Sequence, residues 1–532
     1  MTTLISSGGS GTRVLEAVLH LCAAGLGPDR LRLLVIDPDA ANGNGTRAKE
    51  LANKYCECRK TFRPEGQSLG RLSFFRTTLD LLETDDAEAG LKVWSPVGPN
   101  KRFSDVVNFS LLPKKEKDIA HLFFTDDELN MKTDIGFRGH PAIGAATMSL
   151  LWLYRRQEPW SQLAEKIKTE LSETEGSKVV IVGSVFGGTG ASVIHPLARF
   201  LRQIPDTNHD RLKVGVVALV PYFHFRAAGA APVPDKEDGA KQLGAKSEYF
   251  ALATRAAVQF YNHLREQPRE QPRERRGWEF DAMYWLGDDS PSEVLYDIGG
   301  PGQKNPAHFV DLLAALASLD FFAGDLATKG CQYAGPEDCG DEGMREKNAV
   351  RWMDLPLLTL DREQVQTCLL QFTLTGAVHL GFFEPLLKKD QVDQKPYCIP
   401  WYLERFAGKS DWLTTQEGRA KLALLSEFYR NYHFPWWREI HCTEGECVRL
   451  LNRFALSARL DQGYQVDPSR LANLLYPDRA ADANLDAVDR FFCDTVRVAK
   501  TAEGGGGASA YLALLGEAAA RFIQREYKKK ES

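Results

Sequence analysis

Four residues, Gly187-Gly188-Thr189-Gly190, separate a continuous apolar run at 178–183 from a helical pattern that reaches residue 201. Glycine lets the backbone approach a ligand where a Cβ would intrude. The first N–H groups of a helix lack intrahelical partners and form the positive end of its dipole. A buried strand, a glycine turn and a helix in that order therefore suit an anion, and a phosphate above all. No Lys-Ser or Lys-Thr follows the loop, which rules out a Walker-type P-loop. The plainer alternative is a tight strand-to-helix turn.

The first 40 residues repeat the arrangement. A short β-like run at 3–6 leads into Gly8-Gly9-Ser10-Gly11. Residues 12–24 then show helical spacing of Val14, Leu15, Val18, Leu19 and Cys22. An apolar run at 31–36 ends in Asp37-Pro38-Asp39. Strand, glycine turn, helix and strand make the opening unit of a nucleotide-binding α/β sheet. The third glycine of the dinucleotide fingerprint is absent. Two such loops in one chain point to phosphate binding more strongly than either alone.

Further along, residues 43–130 give no clear pattern. Gly136-Phe137-Arg138-Gly139-His140-Pro141 reads as a loop before a helix at 142–155. A buried strand is expected at 213–220, a loop at 226–245, a helix at 247–265 and a strand at 280–286 ending at Gly287-Asp288. The charged, proline-broken repeat at 265–276 reads as an exposed connection. Asn305-Pro306 is expected to open a long apolar helix to 322, since proline is tolerated in the first turn. From 361 the chain reads as mainly helical, at 361–387, 413–431, 444–458, 484–499 and 508–527. The expected organisation is a nucleotide-binding domain at 1–325, a linker at 326–360 and a mainly helical domain at 361–532.

The bulk numbers agree with a multidomain globular chain. Its 532 residues suggest about two to four domains, and 43% apolar with 26% charged residues supports sizeable cores. A net charge of −5 argues against a broad nucleic-acid-binding surface. No apolar run approaches the roughly 20 residues of a membrane helix, and no signal peptide is seen, so a cytoplasmic location is expected. The ten cysteines lack the paired spacing of a zinc site and are expected to be reduced.

The sequence resembles the tubulin/FtsZ superfamily, and within it the divergent bacterial tubulin-like proteins. Phe186-Gly187-Gly188-Thr189-Gly190-Ala191-Ser192 is similar to the family's GGGTGSG signature, and Gly8-Gly9-Ser10-Gly11 to its first phosphate loop. Gly136 to Gly144 resembles the loop that contacts the γ-phosphate, and Val220 to Phe225 the segment beside the ribose. The resemblance covers about residues 1–325 and implies a Rossmann-like parallel sheet of the tubulin/FtsZ GTPase type. Its implied ligand is GTP or GDP, with ATP left open, together with Mg²⁺.

On that resemblance, phosphates are expected at Gly9, Gly11, Thr12, Gly187, Gly188, Thr189 and Gly190, with Arg138, Gly139 or His140 at the γ-phosphate. Phe225, Asp288, Asn305, Phe309 and Asp311 are candidates for base and ribose; a core aromatic is the commoner reading of Phe309. Asp37 and Asp39 are expected either to reach Mg²⁺ through water or to cap a turn. The family's GxxNxD pattern is not found after Phe322, leaving Asp325 and Asp354 as catalytic candidates by position only. The functions in view are a GTPase or nucleotide-gated assembly switch that self-associates or binds a protein partner through its helical region. The alternatives are a non-hydrolysing nucleotide-binding scaffold or regulatory subunit of a multi-protein complex, and a dinucleotide-dependent Rossmann enzyme.

Overall fold

The computed structural model describes residues 1–64, 73–82, 90–99, 101–173, 176–205, 208–226, 245–266, 279–288, 291–297, 299–324, 330–334, 359–384, 415–443, 456–459, 463–466 and 507–531. The candidates Asp325 and Asp354, most of the charged repeat at 265–276 and the stretch at 484–499 lie outside them. The chain divides into two compact units, neither continuous in sequence. The first is Met1–Val18, Arg30–Glu50 and Leu79–Thr359; the second is Leu19–Asp29, Leu51–Thr78 and Leu360–Ser532.

The first unit is built on an α/β sheet. Strands β1 (Thr2–Ser7), β2 (Arg30–Ile36), β3 (Thr78–Asp80), β4 (Val93–Trp94), β5 (Ser177–Ser184) and β6 (Leu212–Leu219) belong to it, with β8 (Ala282–Leu286) and β10 (Gly330–Ala334). Its order is β10-β8-β6-β5-β1-β2-β3, with β4 also pairing with β2. The pairings β1–β2, β1–β5, β5–β6, β6–β8, β8–β10 and β2–β4 are all parallel. Strand order runs outward in both directions from the β1–β5 pair, so the topological switch point falls between them. β1 is buried along its whole length, and β5 and β6 nearly so, because helices cover both faces of a parallel sheet. Separately, β7 (Phe223–Phe225) and β9 (Ser292–Val294) form a two-stranded parallel ribbon.

Helices follow the strands that aim them. Helix Gly8–Ala23 begins on the residue after β1, and helix Thr189–Arg202 begins five residues after β5. On helix Trp160–Glu173, Trp160, Leu163, Ile167 and Leu171 are buried at i, i+3 and i+4 spacing and join the core beneath β5 and β6. The apolar helix Phe309–Ala323 is buried on all sides but its last residue. It lies close enough to the sheet that a Cβ on Gly215 of β6 would come within 2.5 Å of the Phe321 ring. This helix does not start at Asn305-Pro306. His308, in extended conformation, caps it by accepting from Val310 N–H, and Asp311 closes the capping box by accepting from His308 N–H. Similarly, the helix expected at 142–155 ends at Met148, and a short 3₁₀ turn at Leu151–Tyr154 follows.

The second unit is mainly helical. Helix Arg362–Val378 continues into a π-helical turn at His379–Phe383. Helix Gln416–Glu427 passes through a second π turn at Phe428–His433 into helix Phe434–Thr443, and helix Gly507–Glu531 comes last. Its core is aromatic: Phe372, Phe428, Tyr429, Trp436, Trp437 and Tyr511 are all buried. Buried histidines are held by hydroxyls within it. His379 contacts the Tyr511 and Ser426 hydroxyls at 2.9 Å each, and His433 contacts Thr373 Oγ1 at 2.9 Å. One departure from the helical expectation is the antiparallel pair β11 (Leu456–Arg459) and β12 (Gly463–Val466). Among the described residues, no helix is long and apolar enough to cross a membrane.

Candidate nucleotide site

The carboxyl ends of β1 and β5 open into one cavity of about 860 Å³, counting its open mouth. This is where an open parallel sheet offers a crevice, at the point where strand order reverses. Gly8, Gly9 and Ser10 line it from the β1 side, and Ser184, Phe186, Gly187, Gly188, Thr189 and Gly190 from the β5 side.

The two loops touch. Gly8 has φ +68°, a left-handed conformation, and a Cβ there would lie 3.1 Å from Thr189 Cβ. A Cβ on Gly190 would meet the Ser184 carbonyl oxygen at 2.4 Å, so only glycine lets this helix start so close to its strand. Gly188 is the N-cap of helix Thr189–Arg202 and no side chain caps it, which leaves the first N–H groups to a ligand.

A third loop crosses over the second. A Cβ on Gly188 would come within 2.9 Å of Phe137 Cβ and 3.0 Å of Gly139 N. Phe137 is fully buried with Phe103, Leu129, Met131 and Ile143, and so anchors the loop. Gly136, Arg138 and Gly139 all have positive φ, at 86°, 43° and 80°. Arg138 lines the cavity in that strained conformation.

On another wall stand Asp37, Asp39, Asn42 and Asn44, which follow β2. They are tied to residues that precede the helix Phe309–Ala323. Asp39 Oδ2 accepts from Gly300 N–H at 2.6 Å; Asn44 Oδ1 accepts from Asn305 N–H at 3.0 Å, and Asn42 Nδ2 donates to Gln303 Oε1. Burial pushes the Asp37 carboxyl up to about 8, against the pull of the Asp39 N–H bonded to its Oδ1. Burial also raises Asp39, although Gly300 N–H and Asn42 donate to it. Among the described residues no group of three or more His, Cys, Asp or Glu could hold a metal by itself. The Asp37 and Asp39 carboxyls beside the two glycine loops are oxygen donors of the kind Mg²⁺ takes one or two of.

The remaining wall is aromatic. Phe186, Phe223, Phe225, Phe250 and Tyr296 line it, with ring centroids 4.7 Å apart for Phe186–Phe250 and 5.1 Å for Phe225–Tyr296. Arg13 joins them from one turn into helix Gly8–Ala23. Its side chain is 3% exposed, and its Cζ lies 5.1 Å from the Phe223 ring centre.

Of the residues named from sequence, Gly9, Asp37, Asp39, Arg138, Gly139, Gly187, Gly188, Thr189, Gly190, Phe225 and Asn305 line this cavity. The others do not. Gly11 packs its backbone against the Val182 carbonyl, and the Thr12 hydroxyl donates to Gly8 O at 2.8 Å. His140 is held by Glu128, Nδ1 to Oε1 3.0 Å. Burial alone would raise the Glu128 carboxyl, but hydrogen bonds from Thr125 and His140 hold it below its ordinary value. Phe309 and Asp311 are buried in the protein, and Asp288 lies off the cavity's edge. Sequence reading passed over Arg13, Asn42, Asn44, Gln303 and Tyr296. The repeated Asn-Gly at 42–45 and a lone arginine in an apolar helix were the available signals.

Neither a family model nor a curated protein matches the sequence. Solved structures that match include CetZ2 from Haloferax volcanii, described as a GTPγS-bound protofilament, at 14% identity and a TM-score of 0.26. That alignment covers 61% of this chain and 58% of CetZ2, so the chain spans less than two thirds of the neighbour's length. The α/β architecture stands on the strand order and register given above.

Proposed function

We propose that this protein binds a nucleoside triphosphate in the manner of the tubulin-like proteins, with GTP as its ligand. The observation that carries this reading is the meeting of two glycine loops at the switch point. Each follows a neighbouring parallel strand, each opens a helix, and both face one cavity.

Backbone N–H groups of Gly9, Gly188, Thr189 and Gly190 would hold phosphate oxygens, and helix dipoles would favour their charge. Arg138 would meet the terminal phosphate and favour triphosphate over diphosphate. Asp37 and Asp39 would hold Mg²⁺, directly or through water, and the bound cation would neutralise phosphate charge. The aromatic wall would take the base and ribose. A GTPase or a nucleotide-gated assembly switch is the activity this binding would serve, with self-association or a protein partner engaged through the helical unit. The lack of a GxxNxD pattern after Phe322 favours a second reading, in which nucleotide is held without turnover.

Heating the full chain with GTP, ATP or NAD in turn tests the ligand, because a native-state ligand raises the melting temperature. GTP with Mg²⁺ is expected to stabilise. Stabilisation by NAD alone would sink the proposal. Phosphate release against protein concentration then separates turnover with assembly, which rises more steeply than linearly, from binding alone, which gives none.

A further inference from the structure

Resting on that nucleotide reading, the geometry points to Arg13 as the residue that selects the base, by donating to the 6-oxo edge of a purine; the buried carboxylate of Asp311 does not read the base.

Asp311 is one of the base candidates from sequence, and both of its oxygens are engaged. Oδ1 accepts from the Tyr222 hydroxyl at 2.7 Å. Oδ2 accepts from His308 N–H at 2.8 Å and faces Arg13 Nε at 3.3 Å. Asp311 is fully buried and does not line the cavity, whereas Arg13 does. Guanine is recognised by a carboxylate only through its N1–H and 2-amino donors, and this carboxylate lies off the cavity with each oxygen already accepting a hydrogen bond.

Arg13 has donors to spare. Its Nη2 donates to the Tyr222 hydroxyl, while its Nε and Nη1 make no hydrogen bond among the described residues. Burial works against its charge, yet Tyr222 and Asp311 hold its pKa above the ordinary arginine value. A buried guanidinium that spends one N–H on Tyr222 and turns its Nε towards Asp311 keeps terminal N–H groups for an acceptor on the ligand. A 6-oxopurine presents O6 and N7 on one edge, and arginine suits that pair. Adenine presents a 6-amino donor there, which would face donors. Phe223, beside Arg13 and also on the cavity wall, offers a surface for the base.

The test is a comparison of dissociation constants for GTP, ITP and ATP on the full chain with Mg²⁺. Hypoxanthine keeps O6 and N7 but lacks the 2-amino group. Arg13 readout predicts that GTP and ITP bind within about threefold of each other and ATP about tenfold or more weakly. A GTP affinity about tenfold or more above that of ITP would leave the nucleotide site standing and overturn the role of Arg13. Failure of all three to bind would remove both.

Two variants sharpen the result. Asp311→Asn is expected to keep GTP ahead of xanthosine triphosphate; a reversal in favour of the xanthine nucleotide would show that Asp311 reads the base. The charge-compensated pair Arg13→Gln with Asp311→Asn leaves no buried ion unpaired, and circular dichroism would check its fold. In it the preference for GTP over ATP is expected to collapse to about threefold or less. Retention of the full preference in the folded double variant would overturn the inference.

Discussion

Gly8 and Thr189 face each other across the β1–β5 boundary, 3.1 Å from where a Gly8 Cβ would lie to Thr189 Cβ. The approach requires the left-handed backbone of Gly8, which costs about 1–2 kcal/mol for any residue with a Cβ. Gly8→Ala is therefore expected to lower stability by about that amount in denaturant unfolding and to part the two loops. Nucleotide affinity should fall about tenfold or more. A variant with wild-type affinity would show that the phosphates do not lie between these loops.

Arg138 carries a φ of 43°, a conformation that glycine adopts without strain. Arg138→Gly should therefore leave melting unchanged or raise stability by up to about 1 kcal/mol. The same variant removes the guanidinium proposed to meet the terminal phosphate. The expected outcome is an affinity loss of about tenfold for triphosphate with little change for diphosphate. Equal losses for both would place Arg138 away from the terminal phosphate.

The loops after β1 and β5 were legible as strand-to-helix turns because each glycine run stands between an apolar run and a helical pattern. The central strands β5 and β6 were legible for a related reason, since buried parallel strands are apolar without interruption. Helix Gly43–Phe62 was not. Its buried positions Ala48, Leu51, Ala52, Tyr55, Cys58 and Phe62 keep helical spacing, but alanine, tyrosine and cysteine mark an apolar stripe weakly. The wall formed by Asn42 and Asn44 with Gln303 and Asn305 joins residues 261 apart, a pairing that no local pattern encodes. The partners of Asp311 were not legible, because Arg13 and Tyr222 come from 298 and 89 positions away. Only the fold brings them together.

His433 gives the second unit a dependence on pH. Burial drops its pKa from 6.5 to about 3, so the folded state keeps the ring neutral. The unfolded chain binds a proton below about pH 6.5 that the folded chain refuses. This contribution to stability is present above pH 6.5 and is lost as pH falls towards 3, at about 1.4 kcal/mol per pH unit. Trp436 and Trp437, with ring centres 5.9 and 6.3 Å from His433, supply a fluorescence signal for the transition. His433→Gln keeps a partner for Thr373 and does not titrate. Its stability should fall less steeply than wild type between pH 6.5 and 4, and parallel curves would exclude His433 as the source.

Tyr222 joins Arg13 to Asp311 by accepting from one and donating to the other, all three within the protein interior. Tyr222→Phe removes both hydrogen bonds but leaves the two charges facing each other at 3.3 Å. Loss of hydrogen bonds to charged groups is expected to cost about 1–3 kcal/mol. Asp311→Ala should cost more, about 3–5 kcal/mol, because it leaves the Arg13 charge buried without a counterion. Combining Asp311→Ala with Arg13→Met removes that orphaned charge and should recover much of the loss. Equilibrium unfolding of the four proteins checks this order. If Asp311→Ala proved no more costly than Tyr222→Phe, the ion pair would contribute nothing beyond its bridging hydroxyl, and Arg13 would be held in the cavity wall by packing against Phe223 alone.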